Sequence, residues 1–175
     1  MAEQNNKKFE YLDVSADSGV SSVNMSVGDA SIIKAALYRS KILRESEIEC
    51  FWKVSVRLWI DNINQILAKT REIQKNIFLY APRYNSIQTW LFKANIYDLK
   101  YFLLTDKAIE LMKKSCIEYV FKEMYNKYKG ELEIKKFPVY PDVRGVNSSG
   151  NQYTSSRGKL YLKNIFLKIG YYTVR

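Results

Sequence analysis

The most regular apolar pattern in this sequence runs from Thr105 to Gly130. Its apolar side chains recur every three or four residues along one side of a helix: Ile109, Met112, Cys116, Val120 and Met124. Thr105 is typical of a helix start, because its hydroxyl can accept a hydrogen bond from a free N–H of the first turn. Gly130 is typical of the residue after a helix end. The pattern therefore predicts one helix between these two residues.

Three further segments show helical spacing of apolar residues. The first begins at Ser31 and the third at Ser86, which is followed by apolar residues as far as Phe102. The second begins at Ser46–Glu49, which fits a capping box, and continues to about Lys75. Together these segments predict a mainly α fold with about four helices.

The pattern changes after Gly130. Residues 131–140 alternate and precede a proline, which is typical of an edge strand. Residues 141–158 are rich in glycine, serine and threonine and predict a long exposed loop. Residues 159–175 alternate locally, which favours a strand, with a helix as the alternative. We therefore expect a small C-terminal β element.

The distribution of charge and polar residues divides the chain into three regions. Residues 1–29 form a polar arm with two lysines and five acids, 30–130 a helical body, and 131–175 a basic loop and β segment packing on the body or on a neighbour. The arm carries −3 of a total charge of +10, which leaves +13 for the rest. An acidic arm can dock on the basic body of a neighbouring copy, and the alternative is a free tail. The candidate arm contacts are Asp13, Asp17 and Asp29.

Residue types that carry catalysis are scarce. The chain has no histidine, which removes the commonest general base and a common transition-metal ligand. It also lacks a phosphate-binding glycine loop, a nucleophile elbow and a Cys-x-x-Cys pair. Its two cysteines, Cys50 and Cys116, are expected to be buried and reduced, with one disulfide as the alternative. We therefore expect no enzymatic activity, no cofactor and no metal.

The C-terminal region is the most basic part of the chain. Residues 131–175 contain eight basic residues against three acids, interleaved with tyrosine and phenylalanine. Basic side chains neutralise phosphates, and exposed rings stack on bases, so the region could bind nucleic acid. An acidic protein partner would suit the same surface. The candidate contacts in either case are Lys135, Lys136, Arg144, Arg157, Lys159 and Lys163.

The start of the sequence lacks the apolar core of a secretory signal, and no apolar run approaches the ~20 residues needed to cross a bilayer. We therefore expect a cytoplasmic or virion-associated protein without membrane contact. The sequence favours a non-enzymatic subunit of a homo-oligomer or multi-protein assembly. Enrichment in Lys, Asn, Ile and Tyr suits an AT-rich genome and so hints at a viral or phage virion protein. The alternative is a nucleic-acid-binding protein that uses the basic C-terminal region.

Overall fold

The structure, a computed structural model, describes residues 10–14, 25–45, 48–55, 58–146, 150, 152–153 and 155–174. These residues contain seven α-helices and seven strands in two sheets, and 47% of them are helical and 22% in strands. The protein therefore has an α/β fold, and the prediction of a mainly α fold with a small C-terminal β element is wrong.

In chain order the described elements are α1 (Met25–Arg39), α2 (Lys41–Glu45), β1 (Cys50–Val54), β2 (Leu58–Ile60), α3 (Ile63–Thr70), β3 (Asn76–Ala81), β4 (Ser86–Asn95), α4 (Ile96–Asp98), α5 (Asp106–Met112), α6 (Ile117–Lys127), β5 (Ile134–Lys135), β6 (Val143–Val146), β7 (Gln152–Tyr153) and α7 (Arg157–Lys168). A 3-10 turn (Pro82–Tyr84) joins β3 to β4, and a π-helix (Leu99–Leu103) follows α4.

The chain divides into two units that alternate along the sequence. The helical unit consists of the described residues up to Glu49 together with Ile96–Tyr128. The α/β unit consists of Cys50–Asn95 and the described residues from Lys129 onwards, and it contains all seven described strands.

The helical unit is built on α1, α5 and α6. Its buried side chains recur at helical spacing on each helix, as the sequence pattern requires: Ala30, Ile33, Leu37, Ala108, Met112, Val120, Phe121 and Met124. The hydroxyl of Ser26 accepts a hydrogen bond from the Ile117 N–H at 3.1 Å, which ties the start of α6 to α1.

The α/β unit contains two sheets. The first has the order β1-β4-β3-β5, in which β4 pairs antiparallel with β1 and β3, and β5 pairs parallel with β3. The second has the order β2-β6-β7 and is antiparallel. Their shared core also receives one residue of α3 and one of α7, and consists of Ile60, Ile66, Ile77, Leu79, Leu91, Phe137, Val143 and Leu167.

The predicted helix from Ser46 to about Lys75 is wrong. Strands β1 and β2 lie in the first half of this segment, and among its described residues only α3 is helical, while Ser46 and Glu47 of the capping box lie outside the described residues. The apolar residues here satisfy both a helical and a strand pattern, and several are aromatic or β-branched, which favours strands. Pairing decided the outcome, because Trp52 lies opposite Lys93 of β4, far away in sequence.

The predicted third helix, from Ser86 to Phe102, is also wrong over most of its length. Its first ten residues form β4, a strand with a partner on each side, and helix begins only at Ile96. Seven of the ten β4 residues are buried, so the alternation of buried and exposed residues that identifies a strand is missing. The sequence therefore resembled a buried helix.

The segment from Thr105 to Gly130 is helical as predicted, but it forms two helices rather than one. Thr105 is the N-cap of α5, since its hydroxyl accepts a hydrogen bond from the Ala108 N–H at 3.2 Å. The chain then leaves the helix after Met112 and starts α6 at Ile117. Gly130 lies beyond the end of α6 at Lys127.

The C-terminal segment differs most clearly from its predicted structure. Residues 157–168 form α7 rather than a strand, so the helix that was the alternative interpretation is the observed one. Ser156 caps it by accepting a hydrogen bond from the Lys159 N–H at 3.4 Å. The expected edge strand in 131–140 is reduced to β5, and the expected loop contains β6 and β7.

The two cysteines are free, but the expectation that both are buried is wrong. Cys50 is half-buried at the start of β1, and Cys116 is exposed before α6. The break between α5 and α6 removes Cys116 from the buried line that a single helix would have continued.

Candidate interaction surface

The helix α7 contacts the rest of the α/β unit through a narrow inner side. Leu167 is its only buried residue within the described part of the chain, while Leu160, Lys163 and Asn164 are half-buried. The Asn164 side-chain oxygen accepts a hydrogen bond from the Tyr140 N–H at 2.8 Å. This inner side fixes which side of α7 points to solvent.

The outer side of α7 is apolar. Tyr161 is 68% exposed, Leu162 54% and Ile169 69%, and Ile165 and Phe166 are also exposed. Their sequence separations of one, three and four residues place all five on one side of the helix, with Ile169 at its C-terminal end. We call them the α7 face. Large apolar side chains that are contiguous and exposed mark interaction sites in soluble proteins.

The residues around the α7 face are basic. No aspartate or glutamate follows Asp142 in the sequence, whereas Arg157, Lys159 and Lys168 are exposed on α7 itself. The face therefore combines apolar contact area with positive charge. A complementary surface would be apolar and acidic.

A second feature of the α/β unit is a cavity of about 260 Å³ that we call the tyrosine pocket. Its lining includes five tyrosines and one arginine: Tyr80, Tyr84, Tyr140, Tyr171, Tyr172 and Arg83. The Tyr172 ring lies 5.0 Å from that of Tyr140 and 5.1 Å from that of Tyr171, both in edge-on arrangements. The Arg83 guanidinium lies 5.5 Å from the centre of the Tyr84 ring.

The segment that contains Tyr171 and Tyr172 is hydrogen-bonded to β3 beside this pocket. The Tyr80 N–H at the end of β3 donates to the Tyr172 carbonyl at 3.1 Å. Burial raises the pKa of the Tyr140 phenol above its usual range and also raises that of Tyr172. A phenol with the ordinary pKa of about 10 is already neutral at neutral pH, and the two shifts extend that range upward, so both hydroxyls can donate hydrogen bonds.

Four of the six predicted basic contact residues interact with their own unit. Lys135 forms an ion pair with Glu133, and Lys136 donates to the Lys168 carbonyl at the end of α7 at 3.3 Å. Arg144 pairs with Asp61 at 2.9 Å and with Asp142 at 3.3 Å. Lys163 lies 4.7 Å from the centre of the Tyr140 ring, and burial lowers its pKa. The two remaining members of the set, Arg157 and Lys159, are exposed, as Lys135 and Lys136 also are.

The described part of the arm lies on its own chain. The Asp13 carbonyl accepts a hydrogen bond from Arg39 at 2.7 Å, and the Glu10 carboxylate accepts one from the Ser40 hydroxyl at 2.7 Å. Asp29 is exposed on α1, and Asp17 lies outside the described residues. Glu10 was not among the predicted contacts, because the helix start that it contacts, at Lys41 of α2, lies 31 residues further along the chain.

The net positive charge of the chain lies in the α/β unit. Cys50–Asn95 and Lys129–Arg175 together carry 16 basic and five acidic residues, a net charge of +11, whereas the rest carries 12 basic and 13 acidic residues, a net charge of −1. Sequence reasoning missed this division because the two units alternate along the chain.

Comparison with known protein families, with curated proteins and with solved structures finds no match for this chain. Among the described residues, no helix combines the length and apolar character that crossing a membrane requires. Within the same ranges, no group of three or more cysteine, aspartate or glutamate residues is arranged to hold a metal ion. Functional inference therefore rests on the α7 face, the tyrosine pocket and the division of charge.

Proposed function

We propose that the protein is a non-enzymatic subunit of a homo-oligomeric assembly, in which the α7 face of one copy docks on the helical unit of the next copy. The observation that carries this proposal is the exposure of five large apolar side chains along one side of a single helix. Burying them against a partner would remove their apolar surface from water, which is the main favourable term in association.

The distribution of charge supports a second copy as the partner. Two α7 faces packed against each other would bring Arg157, Lys159 and Lys168 of both copies together, and this repulsion disfavours a symmetric contact. The rest of the chain outside the α/β unit instead carries 13 of the 18 acids and has a net charge of −1. A contact between two different surfaces is head-to-tail, and such contacts build rings or filaments.

The helical unit offers a groove for this contact, between α1 and α5, with a volume of about 490 Å³. Its lining includes apolar and acidic side chains: Ala35, Tyr38, Ile109, Asp106 and Glu110. The two basic residues of the lining are already engaged, Lys34 with Asp106 at 3.1 Å and Arg39 with the Asp13 carbonyl at 2.7 Å. The remaining acid of the lining, Glu110, pairs with Lys113, and the Lys100 ammonium lies 5.1 Å from the centre of the Tyr38 ring. The groove therefore offers Tyr38 and Ile109 as apolar contact area for the α7 face.

The proposal is tested by the mass of the nuclease-treated full chain in solution, measured by light scattering over a range of concentration and salt. We expect the wild type to exceed the 20.6 kDa of one chain, and the double variant Leu162→Asp, Ile165→Asp to be monomeric. Leu67→Asp is the matched control, because Leu67 is an exposed apolar residue of α3 in the same unit. It should assemble as the wild type does.

A mixing experiment tests the head-to-tail geometry. Tyr38→Lys should also give a monomer, because it places a positive charge in the acceptor groove, where it repels the basic residues around the α7 face. Mixing it with the α7 double variant restores one intact α7 face and one intact groove, so dimers should form. A wild type that is monomeric under all conditions would contradict the proposal, and so would an α7 double variant that assembles normally.

A further inference from the structure

The tyrosine pocket has features that docking through the α7 face does not require. Five tyrosine rings surround one cavity, and Arg83 and Tyr84 lie on the exposed 3-10 turn at its edge. We propose that the tyrosine pocket binds single-stranded nucleic acid, with a base against the rings and a backbone phosphate at Arg83.

The arrangement of the rings suits a planar ligand. Tyr84 is 56% exposed and Tyr171 50% exposed, so their rings are available to an incoming group. Tyr140 and Tyr172 pack edge-on against each other and form a fixed inner wall. Bases of any sequence stack on such rings, because every base has a flat π face.

The charges at the pocket disfavour a cationic ligand. Aromatic cages bind cations through the ring faces, yet the Lys163 ammonium already lies over the Tyr140 ring. Arg83 lies beside the Tyr84 ring, and the described residues that line the cavity include no aspartate or glutamate. A ligand with negative charge next to its planar group would be attracted instead.

Proline-rich peptides also bind to grooves lined by aromatic rings. Such a peptide would make no use of the surrounding charge, which is +11 over the α/β unit. A nucleic-acid strand carries one phosphate per nucleotide and would be attracted by the whole unit. The combination of rings and charge therefore favours nucleic acid over a peptide.

The test is the fluorescence anisotropy of a labelled single-stranded DNA of about ten nucleotides, within the range of roughly 4–16 that one small domain covers. The wild type should bind, and its affinity should fall steeply with salt. Tyr84→Ala should weaken binding about tenfold, since one base–ring stack is lost. Arg83→Ser should make the slope of log affinity against log salt shallower by about 0.7, the value for one phosphate contact on a single strand.

Two matched controls separate the pocket from general effects. Arg71→Ser removes an arginine whose side chain is 87% exposed in the same unit, and Tyr119→Ala removes an exposed ring of α6, outside both the pocket and the α7 face. Tyr119→Ala should bind as the wild type does, and Arg71→Ser should keep the wild-type salt slope. Because Arg83 and Tyr84 are exposed turn residues, their variants should unfold at the wild-type temperature.

Three results would overturn the proposal. The first is no measurable binding of the oligonucleotide by the wild type at low salt. The second is equal affinity of the wild type and Tyr84→Ala. The third is competition by a proline-rich peptide with a salt-independent affinity, which would make the pocket a peptide site.

Discussion

The Lys93 ammonium lies 2.6 Å from the Ile73 carbonyl oxygen and donates a hydrogen bond to it. Lys93 is on β4 and is only 6% exposed, and it also donates to the Thr70 carbonyl at 3.1 Å. Thr70 is the last residue of α3 and Ile73 lies just beyond it, at the helix end where the dipole favours a positive charge. One buried lysine thus connects β4, an inner strand of the first sheet, to the end of α3.

Replacing this lysine is expected to destabilise the protein. Lys93→Met keeps most of the side-chain volume but leaves the Ile73 carbonyl without its donor, which costs about 1–3 kcal/mol of unfolding free energy. Urea denaturation measures the change. Lys69→Met, on the exposed side of α3, is the control and should change the free energy by less than about 0.5 kcal/mol. Equal stability of the two variants would show that the buried contact contributes nothing.

Arg144 is expected to contribute to stability. It links Asp61, which precedes α3, to Asp142, whose side chain is only 12% exposed. Arg144→Met leaves both carboxylates without this partner, and because Asp61 is half-exposed we expect a loss of about 1–2 kcal/mol. Arg157→Met, at an exposed position, should be close to neutral in the same thermal unfolding experiment. A neutral Arg144 variant would contradict this role.

Glu10 is expected to make stability depend on pH. The hydroxyl of Ser40 and the N–H groups of Lys41 and Ile42 donate to its carboxylate, and these hydrogen bonds hold the pKa of Glu10 below its usual 4.5. A folded-state pKa below the unfolded value stabilises the protein above about pH 4.5, and this contribution is lost as pH falls through the folded pKa.

The measurement is thermal unfolding of the wild type and Glu10→Gln as pH is lowered from about pH 7. The wild type should be the more stable at neutral pH, and the difference should disappear in acid, because a protonated carboxyl resembles the amide. If the difference in stability between the wild type and Glu10→Gln does not change with pH, it arises from the shape of the side chain and not from its charge.

The cap of α5 gives a fourth prediction. Thr105→Ala removes the oxygen that accepts from the Ala108 N–H and should reduce stability by about 1 kcal/mol. Thr105→Ser keeps the oxygen and should retain most of the stability. Circular dichroism during urea denaturation compares the two, and equal losses would show that the methyl group matters rather than the hydrogen bond.

The sequence predicted some of the elements whose stability is mainly local. The start of α5 was identified because the cap and the apolar spacing belong to the same few residues. The first helix was identified from its apolar spacing, although it begins at Met25 rather than at Ser31. Strands β1 and β4 were missed because each is defined by a partner distant in sequence, as in the pairing of Trp52 with Lys93. The predicted contact Arg144 likewise pairs with Asp61, which is far away in sequence.

The interaction surface was only partly visible in the sequence. The basic, tyrosine-rich character of residues 131–175 was evident, but the α7 face was not, because it appears only when the segment is helical and its inner side is packed. The tyrosine pocket joins Tyr80 and Tyr84 to Tyr171 and Tyr172, which are far apart along the chain.

The sequence alone determined the local properties of this protein: its net charge, its lack of histidine, its helix caps and its apolar spacing. Tertiary structure decided which apolar residues became strands, which side of α7 remained in solvent and which unit carries the positive charge. The physical reason is that caps and helical spacing are satisfied within a few residues. Strand pairing and burial depend instead on partners that only the folded chain brings together.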